Sequence, residues 1–178
     1  MKQQTRVLQI CMSGLFLALA LVLPYLTGQL QQVGQMFLPM HIPVLLCGFI
    51  CGGSWGAAVG FTAPLLRFLI AGMPPIMPVG LAMAFELAVY GLVAGYLFRQ
   101  VTKKNLLNTY LVLLAAMLAG RVLWGVVSAI IFGFRGGSFG MNAFVAGAFV
   151  TALPGIILQL LVIPPWVQIL RKQKVYIP

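Results

Sequence analysis

The chain has 178 residues, 62% of them hydrophobic and only 7% charged, with a mean hydropathy of +1.07. A soluble domain carries about 25% charged residues to solvate its surface, so the soluble classes are excluded and the composition is that of an all-α integral membrane protein. Eleven Lys and Arg stand against one acidic residue and one His, which leaves neither the paired carboxylates of acid–base catalysis nor the ligand sets of metal chemistry. The chain does not read as an enzyme.

A net charge of +10 would suggest nucleic acid in a soluble protein, but here the cations sit at the edges of apolar runs and are not interleaved with aromatics. Membrane topology accounts for them, and no nucleic acid partner is expected. Cys11, Cys47 and Cys51 lie inside apolar runs and read as small buried hydrophobes. The first apolar run is long enough to span and lacks a clean small-residue cleavage site, so it is predicted as a retained helix.

A spanning helix needs about 20 apolar residues. Dividing the chain where Gly, Pro, Gln or charge interrupts the runs predicts six helices in one membrane domain over 1–178, at about 7–26, 40–52, 55–71, 79–98, 106–134 and 142–170. The 27–39 connection carries Gln29, Gln31, Gln32 and Gln35 and suits an interface or a lid. The second segment covers only about 20 Å of a core roughly 30 Å thick, so it starts earlier or sits recessed. Gly52 to Ser54 and the Pro-rich 72–78 stretch make turns, and a Gly-rich loop at 136–140 precedes the last segment.

The positive-inside rule tests this division. Lys2 and Arg6, then Arg99, Lys103 and Lys104, then Arg171, Lys172 and Lys174 all fall on one side if there are six crossings, with only Arg135 in an opposite loop. Both termini are therefore expected in the cytoplasm, with the chain in the plasma membrane. A re-entrant hairpin over 40–71 would keep the same parity; the near-spanning length of 55–71 argues against it. Small residues at four-residue spacing, Gly14 with Ala18, Gly56 with Gly60 and Gly91 with Gly95, mark close helix contacts, within the chain or with a partner.

Three ionisable residues fall inside apolar segments: Arg67, Glu86 and Arg121. Each costs about 2.5 to 3.5 kcal/mol on insertion scales and needs a partner, a cavity or an interface. Glu86 and Arg121 both count to near the midplane, where they either pair to fix register or serve a ligand. Since one carboxylate cannot neutralise two arginines, the unmatched guanidinium is a candidate for an anionic or carbonyl-rich ligand. Arg67 alternatively snorkels to the outer interface. Arg121, Trp124 and Ser128 share a helical face, as do Glu86 and Tyr90. Asn142 lies at the outer end of the sixth segment and Gln159 near its middle, five residues beyond Pro154, which loosens the local ladder. His41 opens the second segment. The candidate substrate-binding residues are thus Arg121, Trp124, Glu86, Tyr90, Asn142 and Gln159, with Arg67 and His41 next. No GxxxxGK[ST] loop is present to cradle nucleotide phosphates.

The stretch FLPMHIPVLLCG from Phe37 to Gly48, continued by GFTAPLLR from Gly60 to Arg67, GMPP from Gly72 to Pro75 and MAFELA from Met83 to Ala88, resembles the substrate-binding S component of energy-coupling factor (ECF) vitamin transporters, in its FolT/PanT/RibU-like branch. The likeness extends over essentially the whole chain: small size, six hydrophobic segments, a basic N terminus and tail, and a polar first loop. It implies a six-helix bundle of the S-component type with an outward-half pocket closed by the first loop. It also implies a transmembrane coupling subunit, EcfT, meeting a small-residue face on the first helix, and two cytoplasmic ATPases that use ATP in place of this chain. Gly14 and Ala18 stand where the family carries its AxxxA-type face, and toppling of the subunit within the membrane is part of the same implication. The expected ligand is a small vitamin or related micronutrient. Pantothenate matches the surplus positive charge, and a folate-like compound or queuine-type base would use the rings and Glu86. The competing readings are a non-transporting assembly protein and a stand-alone permease.

Overall fold

A computed structural model describes residues 2–27, 36–134, 136 and 140–172. The expected lid glutamines, Arg135 and Lys174 lie outside the described residues. Within them the chain is helical, with no strand. Helix α1 covers Lys2–Val22 and tightens into a 3-10 turn at Leu23–Thr27. Helices α2, His41–Cys51, and α3, Gly53–Ala71, follow. Past a kinked turn at Ile76–Gly80 comes α4, Leu81–Gln100, then α5, Leu106–Phe134. The last passage is divided into short α6, Met141–Val145, a π-helical segment at Ala146–Val150, and α7, Leu153–Lys172.

Five stretches are long and apolar enough to cross a bilayer: Arg6–Tyr25, Gly53–Ala71, Ile76–Gln100, Leu106–Phe134 and Leu153–Lys172. The exception is α2, whose eleven residues rise about 16 Å. It is recessed, as its length requires. Nine of its residues are buried, enclosed by α1, α3, α4 and α7, and its sequence is apolar on all sides because no side faces lipid.

Side-chain bonds fix which helix ends are level. Gln9 of α1 and Arg99 of α4 both donate to the carbonyl of Cys51, the last residue of α2, at 3.2 and 3.1 Å. Arg171 of α7 donates to the Lys104 carbonyl before α5. The N-terminal end of α1, the α2–α3 turn, the C-terminal end of α4, the start of α5 and the end of α7 therefore share one end of the bundle, which gathers the described basic flanks as the charge count predicts. At the other end Arg67 of α3 reaches the carbonyl of Leu21 near the close of α1. The six passages alternate in direction; α2 descends from mid-bundle to the basic end and α3 returns.

Helices α2, α3 and α4 meet backbone to backbone at glycines. A methyl group on Gly56 would stand 2.7 Å from Gly48 Cα and 2.8 Å from the Gly91 carbonyl oxygen. Lipid gives helices no hydrophobic drive to associate, so such close approach supplies the dispersion that does. The Gly56–Gly60 and Gly91–Gly95 spacings are thus contacts inside the chain. Gly14 and Ala18 differ: both are exposed on α1, and nothing lies within 4 Å of a methyl built on Gly14. At Gly52 the chain reverses in one residue with φ 104°, a conformation open to glycine and strained for other residues.

Two local expectations change. Pro154 is the second residue of α7, where a missing N–H costs no helical bond, so it does not loosen the ladder at Gln159. The interruption lies upstream, where the Thr151 N–H reaches the Ala146 carbonyl at 2.8 Å in a π-type bond, so 142–170 is not one continuous helix. Two prolines, Pro164 and Pro165, sit inside α7 instead.

Candidate functional site

Because α2 stops short, its N-terminal residue His41 ends level with the middle of α4, and the polar side chains converge there. The Glu86 carboxylate projects from α4 with Oε1 3.0 Å from Arg121 Nη1 of α5 and 3.7 Å from His41 Nε2. Tyr90, one turn along α4 from Glu86, sets its ring edge-on to His41 with centroids 5.3 Å apart. The Tyr90 ring also rests on Gly120, where a methyl group would strike Tyr90 Cδ1 and Cε1. Gly120 precedes Arg121, so the glycine that admits the ring also sets the depth of the guanidinium.

All four side chains are buried, with relative exposures of 1% for His41, 2% for Glu86, 0% for Tyr90 and 5% for Arg121. Gln159 of α7 is also fully buried, on the stripe Gly155, Gln159, Ile163 and Val167, and α7 packs against α2 and α5. At Gly155 a methyl group would stand 2.7 Å from the Met36 carbonyl oxygen, so the segment leading into α2 lies across α7 one turn from Gln159. That segment holds Leu38 at φ 51° while burying its side chain. A left-handed leucine costs roughly 1 to 2 kcal/mol and persists only where packing over-determines it.

The cluster is charge-balanced, since Glu86 faces Arg121, yet its hydrogen bonding is incomplete. Among the described residues, the buried side-chain polar atoms without a hydrogen-bond partner are His41 Nδ1 and Nε2, Glu86 Oε1, Tyr90 Oη, Arg121 Nε and Nη2, and Gln159 Nε2 and Oε1. The ion pair brings charges together without aligning donors on lone pairs. A buried polar group left in this state costs about 1 to 3 kcal/mol, so the cluster of His41, Glu86, Tyr90 and Arg121 is suited to a polar guest that completes its network.

The remaining candidates lie elsewhere. Arg67 is buried at the end of the bundle opposite the basic flanks; Nη1 donates to the Leu21 carbonyl at 3.0 Å and the guanidinium lies 4.8 Å from the Tyr25 ring centroid. It serves the closing turn of α1, where a cation complements the carbonyl end of the helix. Of the two arginines, Arg121 is the one whose Nε and Nη2 have no hydrogen-bond partner. Trp124 is half-buried, stacks on Phe144 at 6.2 Å and lies against Gly147 in the π segment, packing the broken last passage. Ser128 is buried on the Arg121 face, and Asn142 is exposed at the start of α6. Gly120, Gly155 and Leu38 had no signal in the sequence, because their roles depend on which neighbour lies opposite.

The sequence matches the family described as ECF transporter, substrate-specific component, over residues 8–167. The chain belongs to that family. No curated protein and no solved structure matches it. This S component is accordingly a multi-pass membrane protein and the substrate-binding subunit of an ECF transporter, a family that works in association with a transmembrane coupling module and ATPase modules. Members bind substrate and are not themselves ATPases.

Proposed function

We propose that this S component captures a small polar vitamin or related micronutrient between α2, α4, α5 and α7 and passes it inward with an ATP-hydrolysing module through EcfT. Both termini face the cytoplasm in this reading, with the polar cluster in the outward half. The observation that carries it is Gln159, a fully buried amide with neither nitrogen nor oxygen partnered. A residue that only locked helices would be satisfied by another helix. A pantothenate-type ligand supplies a carboxylate for Arg121 Nε and Nη2, with amide and hydroxyl groups for Gln159 and His41. A net-neutral heteroaromatic ligand of folate-like or queuine type is a second reading, supported by the charge balance: Glu86 already offsets Arg121, and the Tyr90 and His41 rings stand beside the carboxylate.

Mass spectrometry of ligand retained through purification, followed by titration of that compound into wild type and Gln159→Leu, tests the reading without a guess at the substrate. The expected result is one tightly held micronutrient whose affinity falls at least tenfold in the variant while thermal stability holds or rises. No ligand from cells or from a vitamin panel, together with a more stable Gln159→Leu protein, would support the assembly alternative. Uptake into vesicles lacking the ATPase partners would support a permease.

A further inference from the structure

The buried cluster is neutral when empty, and a charged guest changes that. Among the described residues, the charges that meet there are the Glu86 carboxylate and the Arg121 guanidinium, 3.0 Å apart, and the chain has no second acidic side chain. His41 Nε2 stands 3.7 Å from the same Glu86 oxygen, and the imidazole is buried. A charged imidazole in the empty site would be a second cation facing one carboxylate, and an unmatched buried charge is expensive. The ring is therefore neutral there.

A carboxylate guest reverses the count. Bound at Arg121, it sets two anions against one cation, and the missing positive charge has one source close by. Arg121 is permanently protonated, and Glu86 is engaged with it as a carboxylate. A proton on His41 turns both ring nitrogens into donors and restores neutrality beside Glu86. His41 is also the first residue of α2, where the positive end of the helix favours an anion and makes an unaccompanied cation costlier. Tyr90 of α4 faces the ring edge-on, but a phenol carries no positive charge. Of the other helices packed on α2, α1 has Lys2 and Arg6 at the basic end and an exposed Cys11. The α3 cation, Arg67, bonds the Leu21 carbonyl, and α7 has Arg171 and Lys172 in its last turn. On α2 itself, Cys47 lies further along against Ser13, and Cys51 closes the helix.

We propose that the site binds its ligand as an anion together with a proton, which His41 takes up. This rests on the capture reading above and on its carboxylate ligand. The cluster is then neutral both empty and filled. Because the complex holds one more proton than its separated partners, affinity falls about tenfold per pH unit as pH rises, wherever the free imidazole is neutral.

His41 is the chain's single histidine, so NMR of isotope-labelled histidine in the full chain, purified without a histidine tag, reads this ring alone. The probes are pantothenate and pantothenol, in which a hydroxymethyl group replaces the carboxylate. At roughly pH 7.5, above the ordinary imidazole range, the ring should be neutral in the empty protein, doubly protonated with pantothenate and neutral with pantothenol. Calorimetry in Tris and in HEPES, which differ in ionisation enthalpy, should give about one proton taken up per pantothenate. His41→Gln should bind pantothenate with neither proton uptake nor pH slope; if that variant does not fold, the wild-type ring spectrum and proton count decide. Should purification yield another carboxylate compound, it and its amide take the places of the two probes. A neutral ring in the carboxylate complex, or uptake that persists in His41→Gln, overturns the inference and leaves the capture reading intact. Retention of a net-neutral micronutrient does the same. If no compound binds at all, the capture reading fails and takes this inference with it.

Discussion

The glycine seam of α2, α3 and α4 and the polar cluster of α2, α4 and α5 lie next to one another along the two helices they share, and they use close approach in opposite ways. At Gly48, Gly56 and Gly91 the backbones of α2, α3 and α4 come together with no side chain between them, a dry contact that tolerates no added atom. At His41, Glu86, Tyr90 and Arg121 two of those helices, α2 and α4, joined by α5, bring side chains together while leaving hydrogen-bonding atoms unmet. Packing is complete in the first region and deliberately short of partners in the second. Rigidity below gives the site above its precision, since a network missing partners keeps its shape only if its supports cannot collapse onto it.

The largest effect should come from the seam. Gly56→Leu drives a side chain into the backbones of Gly48 and Gly91, beyond the usual 1 to 3 kcal/mol (about) of core overpacking, and should abolish the monodisperse species on size-exclusion chromatography. Next is the buried pair. Arg121→Met leaves the Glu86 charge uncompensated and should destabilise by about 3 to 5 kcal/mol in reversible unfolding, as well as losing ligand. Adding Glu86→Gln should restore most of the stability and none of the binding, a split that a purely structural pair would not give. Gly120→Ala pushes against the Tyr90 ring and should lower ligand affinity about tenfold in a protein that still folds, read by titration. Arg67→Met removes the bond to the Leu21 carbonyl and should cost about 1 to 3 kcal/mol in thermal unfolding with little change in affinity. Trp124→Phe should be smallest, under about twofold in affinity, because its ring packs on Phe144 and Gly147.

Helices were legible wherever lipid dictates them. The α5 segment 106–134 is read from hydropathy with the boundaries the structure shows, since a run that must bury its backbone polar groups in hydrocarbon can only be helical. For the second segment length alone showed that thirteen residues fall short of the bilayer, leaving an earlier start or a recessed position open; the structure has it recessed. The interrupted last passage was not: hydropathy is blind to a π bond at Ala146, and Pro154 falls in the first turn of α7, where it breaks no helical bond. In the site, Glu86 with Arg121 followed from the expense of charge in lipid. His41, at the entrance of its segment in sequence, lies beside Glu86 in mid-bundle because α2 is recessed. Arg67 and Arg121 were indistinguishable by type, and only the neighbour opposite each, a carbonyl of α1 or the carboxylate of α4, separated them.

One consequence follows from the turn at Gly52, where the Arg99 guanidinium fills the space a side chain would take and the ends of α1, α2 and α4 are knotted to a single carbonyl. A cargo leaving toward that end would have to unpick those bonds and part the glycine backbones above them. The basic end of the bundle is therefore a sealed floor, tied by side chains to one carbonyl and closed by backbone contact above it.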